Sequence, residues 1–429
     1  MNFLKPQNFL LPLVLVSLMG PGVSFLEPVF GYATRWASPA IFLIYLLLSR
    51  GALRVFSPTI ALALLAYVGW CFMTIGWSEV PTLSLMKAVA LTLMVFWGLS
   101  GGYHWVTHHE RAEGLDFLWP YTILSLLAGL WGGFPEPIYE TQEIVLLSGA
   151  AGGPNFLGVL MATSIPVILW RLYRDWANVR KRLLWLALLG AYVAFLYLSV
   201  SRAAYLLAFT IGSGFVVAMG LHRAVMAALA SAFMLVLVVL VAPEFSDSMV
   251  QRNVYKQYGG DGEIFYTRQQ PFEDSYDAAV LGGWIGVGYG VSAGADESDF
   301  VGGELTATSY GREKGNAQLA IVEETGVGGL VLYAILIAAI LAELLVGFRA
   351  TGKGEARVLL GVVIGTVVGL LLYSIFEAWW VAPGSPPFGY FWVMTGVGLG
   401  MAEAAKKSRV VARPGSIDAR ISPARTVPL

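Results

Sequence analysis

Residues 330–348 read LVLYAILIAAILAELLVGF, nineteen positions with one charge, Glu343, and no proline. As an α-helix rising 1.5 Å per residue, such a run crosses a hydrocarbon layer about 30 Å thick. It is too long for a strand and too apolar for a helix with one face in water. Blocks of this kind recur along nearly the whole 429-residue chain. Hydrophobic residues make up 57% and charged residues 13% of it, with a mean hydropathy of +0.68. Soluble chains carry about 25% charged residues. A soluble domain around one buried core is therefore excluded, and the expected fold class is an all-α polytopic membrane protein. The net charge of −1 says nothing about partners until it is split by membrane side; no nucleic-acid partner is expected, and the single cysteine, Cys71, lies in an apolar block. One thiol excludes a disulfide framework and a cysteine metal site.

Windows of about 19 residues place twelve transmembrane helices near 8–26, 37–50, 57–76, 83–101, 116–133, 155–173, 183–200, 203–220, 223–242, 316–348, 356–376 and 385–404. The first 20 residues, with Lys5 before an apolar run, resemble a signal peptide. Small residues at a cleavage-site spacing are not convincing there, and Pro21 and Gly22 read as a helix end, so an uncleaved span is expected. Gly326, Gly328 and Gly329 are expected to break the tenth span, leaving residues 316–325 as a short separate helix at the membrane surface. With both termini inside, the 27 lysines and arginines divide nineteen inner to seven outer, with Lys87 within a span. That bias sets the expected orientation. The layout is thus spans 1–9 over residues 1–242, an outer loop over 243–315, spans 10–12 over 316–404 and a basic, disordered inner tail over 405–429. The loop is acidic and carries Tyr255, Tyr258, Phe265, Tyr266, Phe272, Tyr276, Trp284 and Tyr289, more rings than a linker needs. It is expected to fold back as short helices and cap a cavity. A second acidic outer loop covers residues 134–154, and no repeat of 20–50 residues is evident.

The candidate chemistry falls on the outer side. Arg202, in SRAA at 201–204, runs against the charge bias where spans 7 and 8 meet. It is either a snorkelling arginine on lipid phosphate or a guanidinium fork holding a phosphate or diphosphate. Arg268, in FYTR at 265–268, is either a salt-bridge partner of Glu273 or Asp274 or a second anion-binding group. The run GWIGVGYG at 283–290 lacks the dinucleotide spacing and any βαβ context, so it reads as a turn that brings backbone close to a neighbour or ligand. Glu313, Lys314 and Gly315 precede Asn316, a good N-cap for the next helix. Capping alone explains Asn316, but acid, base and helix start together have the chemistry to bind an anion or move a proton. Asn155 opens span 6 after Gly153 and Pro154, with capping the default reading. Lys87 either snorkels or faces a cavity. His104, His108, His109 and His222 fall on the inner side and read as interfacial, and no metal constellation is evident.

Taken together, GPNFLG at 153–158, SRAA at 201–204, YTR at 266–268, WIGVGYG at 284–290, GN at 315–316 and ETG at 324–326 resemble, in order and spacing, the O-antigen ligase and O-antigen polymerase superfamily of bacterial envelope glycosyltransferases. The resemblance implies a bacterial inner-membrane enzyme with its active site on the periplasmic face. It implies transfer of a glycan from an undecaprenyl-diphosphate-linked donor to a glycan acceptor, without metal or other cofactor. Membrane lipids and envelope polysaccharide assembly proteins are the further partners it implies. Arg202 and Arg268 match the family's arginines. The ligases carry histidine before the asparagine, whereas this chain has Gly315, with Glu313 the nearest substitute base and Lys314 an alternative phosphate ligand. That departure favours a polymerase of O-antigen or exopolysaccharide repeat units over a ligase onto lipid A core or protein. A flippase or transporter of lipid-linked glycan is the reading from another class; it predicts charges deep in the spans and internal repeats.

Overall fold

The structure, a computed structural model, describes residues 6–48, 57–108, 114–132, 146–220, 226, 266–293 and 314–411. Twelve α-helices lie among these: α1 Pro6–Met19, α2 Tyr32–Leu48, α3 Pro58–Met73, α4 Pro81–His108, α5 Trp119–Leu130, α6 Pro154–Arg174, α7 Val179–Ser199, α8 Arg202–Met219, α9 Tyr266–Gly282, α10 Ala317–Ala350, α11 Glu355–Tyr373 and α12 Pro386–Val411. The only extended pairing among the described residues is an isolated bridge between Val23 and Ala151. Among the described residues, seven helical segments are long and apolar enough to cross a membrane: those of α3, α4, α6, α7, α8, α10 and α11. Apolar side chains on these helices remain exposed, and only 17% of the α7 span is buried. In water that surface would drive aggregation; in a bilayer it is the solvated face. The protein is thus an all-helical, polytopic membrane protein. The expected ninth span, 223–242, lies outside the described residues except for Met226, as do 243–265 and 294–313 of the large loop.

Glycine seams hold the bundle together. Without a hydrophobic force between helices in lipid, packing depends on close backbone approach, which small residues allow. A Cβ at Gly102 of α4 would lie 2.1 Å from the Val393 carbonyl of α12, and one at Gly396 would lie 2.2 Å from the Leu99 carbonyl. Between α8 and α11 the same seam runs through Gly361, Gly365 and Gly369, each four residues from the next, and a Cβ at Gly214 would sit 2.3 Å from the Gly361 carbonyl. Pro166 interrupts α6, where proline leaves carbonyls one turn back without their helical donor. Near this point the Tyr390 hydroxyl of α12 donates to the Thr163 carbonyl at 2.6 Å and ties the two helices together.

Four boundaries differ from the sequence expectation. Helix α1 ends at Met19 rather than near 26. Helix α2 begins at Tyr32 rather than near 37, and α4 continues to His108. Helix α12 runs to Val411, so 405–411 are helical where a disordered tail was expected. Its extension carries helix-favouring Ala405, Lys406, Lys407 and Arg409, a Lys407 pair at 2.6 Å with Glu403 one turn back, and a Lys406–Glu343 ion pair that ties it to α10. Residues 412–429 of that tail lie outside the described residues. The break in the tenth span is found at Gly326, with φ 72° and ψ −179°. That conformation is essentially confined to glycine.

The helix ends sort into two groups. At one end Gly152 donates to Gly22, Leu147 to Leu198, Ala317 to Ser374 and Val287 to Glu323. At the other, Arg171 pairs with Asp116, Arg174 with Glu355 at 3.9 Å and Lys406 with Glu343. Most described cations lie at this second end. The candidate residues Asn155, Arg202, Lys314 and Asn316 all belong to the first.

Candidate functional site

The break at Gly326 organises the first end. Helix α10 stops donating along its own axis there, and the GWIGVGYG turn after α9 takes over. Val287 and Gly288 donate to the Glu323 and Glu324 carbonyls at 2.9 and 3.1 Å, while Val327 and Gly328 donate to Gly283 and Trp284 at 3.0 and 3.2 Å. A Cβ at Gly286 would lie 2.3 Å from the Glu324 carbonyl. The glycines therefore serve close backbone approach to a neighbouring helix, one of the two roles expected for them. Trp70 of α3 donates to the Thr325 carbonyl at 2.8 Å and fixes the break from the other side. Helix α9 packs on the first half of α10, with the Gly315 amide donating to Ser275 Oγ at 3.1 Å.

This scaffold presents two buried carboxylates from consecutive residues. Glu324 accepts from the Gly290 amide at 2.8 Å and from Lys314 Nζ at 2.6 Å. Glu323 accepts from the Ala293 amide at 2.9 Å and lies 3.4 Å from Lys314 Nζ. Lys87 of α4 also acts on Glu324 electrostatically. Glu323 and Glu324 side chains are only 1–2% exposed and Lys314 is 11% exposed, so the group is held by mutual pairing and amide donors rather than by water.

Beside it lies a cavity of 480 Å³, lined by Lys87, Lys314 and Glu324, by Gly290 and Ser292 of the turn, by Gly152, Asn155 and Val159 around the start of α6, and by residues of the α11–α12 connection. That connection, from Ser374 to Ser385, is a buried plug. Trp380 is fully buried and donates to the Tyr67 hydroxyl at 3.0 Å, packed against Tyr333, Phe391 and Trp392. It turns Glu377, Trp379 and Ser385 toward the cavity wall. Asn155 Nδ2 donates to Glu377 Oε1 at 3.0 Å. The Trp379 indole N–H and the Ser385 hydroxyl are buried and have no hydrogen-bond partner among the described residues. Buried donors at a cavity wall favour a ligand rich in oxygen acceptors.

The structure brings Lys314 and Asn155 together at this cavity, with Lys87 facing it rather than snorkelling. Asn155 occupies the second helical position of α6, while Gly153 is the N-cap, so the capping expected of it is replaced by the bond to Glu377. Asn316 is the N-cap of α10; its Oδ1 accepts from the Leu319 amide at 2.8 Å and its Nδ2 donates to the Ile375 carbonyl at 2.9 Å. It lines a different, membrane-side hollow with Tyr333 and Leu372. Arg202 is the first residue of α8, after Val200 in a left-handed conformation (φ 52°). A β-branched residue there is strained, and the turn is fixed by Gly158 of α6, whose Cβ would lie 2.5 Å from that of Ser201. Arg202 thus starts its helix one turn along α6 from Asn155 but is not among the residues lining the cavity. Arg268 falls in the first turn of α9, its side chain outside what the structure describes, and Glu313 lies outside the described residues. At Gly315, where the resembled ligases have histidine, a Cβ would meet Pro271 at 2.9 Å, so no side chain fits that position as packed. Sequence reading missed Glu377, Trp379 and Ser385. Glu377, a lone acid between apolar spans, is the one signal that was there to find.

No family model matches the sequence, and no curated protein matches it. Among solved structures the chain is similar to one from a peptidoglycan synthase complex described as coordinating polymerisation and crosslinking, at 17% identity over 82% of this chain and 98% of that one, with a TM-score of 0.39. A likeness at that level fixes neither topology nor chemistry.

Proposed function

We propose that the protein is a membrane glycosyltransferase that polymerises undecaprenyl-diphosphate-linked oligosaccharide repeat units, as an O-antigen or exopolysaccharide polymerase without cofactor. The observation that carries this reading is the cavity in which Lys87, Lys314, Glu324, Glu377 and Asn155 converge beside the Trp379 and Ser385 donors, which have no partner among the described residues. A lipid-linked glycan offers both chemistries such a wall suits, an anionic diphosphate and a ring of hydroxyl and ether oxygens. The motif resemblance supplies the reaction class. The basic end of the bundle supports a cytoplasmic placement for that end and a periplasmic one for the cavity, in a bacterial inner membrane with both termini inside.

In the proposed reaction an acceptor hydroxyl attacks the anomeric carbon, the bond from that carbon to the diphosphate oxygen breaks, and the hydroxyl proton passes to a carboxylate. Negative charge grows on the leaving diphosphate. Cations held in place before the reaction stabilise it without reorganising. Arg202 and Arg268 are proposed for that role, with Lys314 and Lys87 facing the cavity, Asn155 on its wall, and Asn316 holding the start of α10 behind Lys314. Glu313 is the proposed base, and Glu377, oriented by the Asn155 amide, is the carboxylate presented from the opposite wall. The few charges deep in the spans and the absence of evident repeats favour an enzyme over a flippase.

Reconstitution of purified protein with undecaprenyl-diphosphate repeat units alone tests the reading. A ladder of glycan lengths is expected, lost in Arg202→Ala and in Arg268→Ala while both proteins still insert. Product that appears only after lipid A core is added indicates a ligase, and movement across the bilayer with no new bond indicates a flippase. Slowed transfer in Glu313→Gln or in Glu377→Gln identifies the base.

A further inference from the structure

A second cavity, of 560 Å³, opens at the opposite, basic end of the bundle. Trp105, Trp170, Leu359 and Met401 form apolar walls, and Thr351, Lys353, Glu355 and Ser408 are its polar side chains apart from the indoles. Small side chains at Ala350, Ala356, Ala404 and Ala405 leave the space open. We propose that this cavity is a binding site for an anionic glycerophospholipid, whose headgroup oxygens accept from the Trp170 indole and face Lys353 while the glycerol and upper acyl chains lie on the tryptophan and methionine wall.

Three observations carry it. The Trp170 residue is 1% exposed and its Nε1–H has no acceptor among the described residues. Indole is a donor only, so the ligand must bring an acceptor. The neighbouring Trp105 shows the contrast, since its Nε1 donates to the Gly114 carbonyl at 2.9 Å. Next, the acids near this end are already paired: Asp116 with Arg171, Glu355 with Arg174, Glu343 with Lys406 and Glu403 with Lys407. Lys353 makes no ion pair with a described residue and is exposed on the turn between α10 and α11. Glu355 lines the cavity beside Lys353, but Arg174 lies 3.9 Å from its carboxylate, so with Arg174 and Lys353 together the rim carries a surplus of positive charge. Finally, the turn that carries Lys353 is held rigid, because Arg357 Nη1 donates to the Phe348 and Thr351 carbonyls at 3.1 and 3.2 Å and its guanidinium lies 4.0 Å over the Phe348 ring. A basic pocket between spanning helices at the level of a leaflet's headgroups suits an anionic lipid, whereas a zwitterionic headgroup gains little there. The site is distant from the proposed glycan cavity, and nothing in its argument depends on that reading.

The test uses full-length protein in detergent, stripped of lipid and titrated with phosphatidylglycerol, phosphatidylcholine or glycerol 3-phosphate, with bound lipid counted by native mass spectrometry. One phosphatidylglycerol per chain is expected to be retained, in preference to phosphatidylcholine. Ala405→Leu, which fills the wall, should abolish retention. Lys353→Glu, an exposed change that leaves packing intact, should weaken it by roughly fivefold or more, the scale of one cation near an anionic surface. Trp170→Phe, which keeps the ring and removes the donor, should weaken it as well. Equal retention of phosphatidylcholine, or retention unchanged in both Ala405→Leu and Lys353→Glu, overturns the proposal. Displacement of the lipid by glycerol 3-phosphate overturns the lipid assignment in favour of a soluble phosphate.

Discussion

At the scale of single residues, the site depends on buried charges balanced by one another and by the Gly290 and Ala293 amides. Lys314 reaches both Glu323 and Glu324, and all three are almost out of contact with solvent. Removing one partner of a buried ion pair leaves the other uncompensated, at a cost of about 3–5 kcal/mol. Lys314→Met is accordingly expected to lower unfolding stability by about that amount in detergent, and Lys314→Met/Glu324→Gln to recover part of it. Thermal melts within error of the parent for the single variant would contradict the pairing. Sequence alone marked Lys314 and Asn155 because each stands at a helix start beside glycine or proline. It could not separate a cap from a ligand at Asn155, since both uses demand the same amide at the same kind of position. Only the approach of Glu377, more than two hundred residues away in the chain, decides between them.

At the scale of elements, the bilayer makes helices legible, because a span must be apolar over a length the membrane sets. The break at Gly326 was legible for a similar reason, three glycines inside an otherwise continuous run. The plug between α11 and α12 was not. Trp379, Trp380 and Val381 read as a connection between two spans, and only their packing against α3, α10 and α12 shows that they form a buried 3₁₀ turn. The helical continuation to Val411 was hidden because a basic stretch reads as tail until its acidic partners on α10 and α12 are known. Gly326 also permits a direct test. Alanine there meets both a disfavoured backbone conformation and the Trp284 carbonyl 2.2 Å away. Gly326→Ala should cost about 3 kcal/mol or more, combining backbone strain with displacement of the turn that supplies the Gly290 amide to Glu324. An unfolding midpoint equal to the parent's would show that the break tolerates a side chain and does not hold the site.

At the scale of the whole molecule, two ends with opposite character are the main finding. One gathers buried acid–base pairs around a cavity, and the other carries the surplus of cations and a second cavity. Cys71 is buried and is the only cysteine in the chain, so orientation can be read in a Cys71→Ala background. Ser292→Cys should react with an impermeant thiol reagent from the periplasmic side and Lys353→Cys only after the cytoplasmic face is opened. The reverse pattern would invert the proposed topology and move the cavity to the wrong side for a lipid-linked envelope glycan. The most direct test of the central claim is photocrosslinking of active protein to an undecaprenyl-diphosphate repeat unit from a photoreactive residue placed at Ser292, inside the first cavity, or at Thr351, at the second. The account predicts a glycan-bearing adduct at Ser292 and none at Thr351. Polymer formation with no adduct at Ser292 would contradict it.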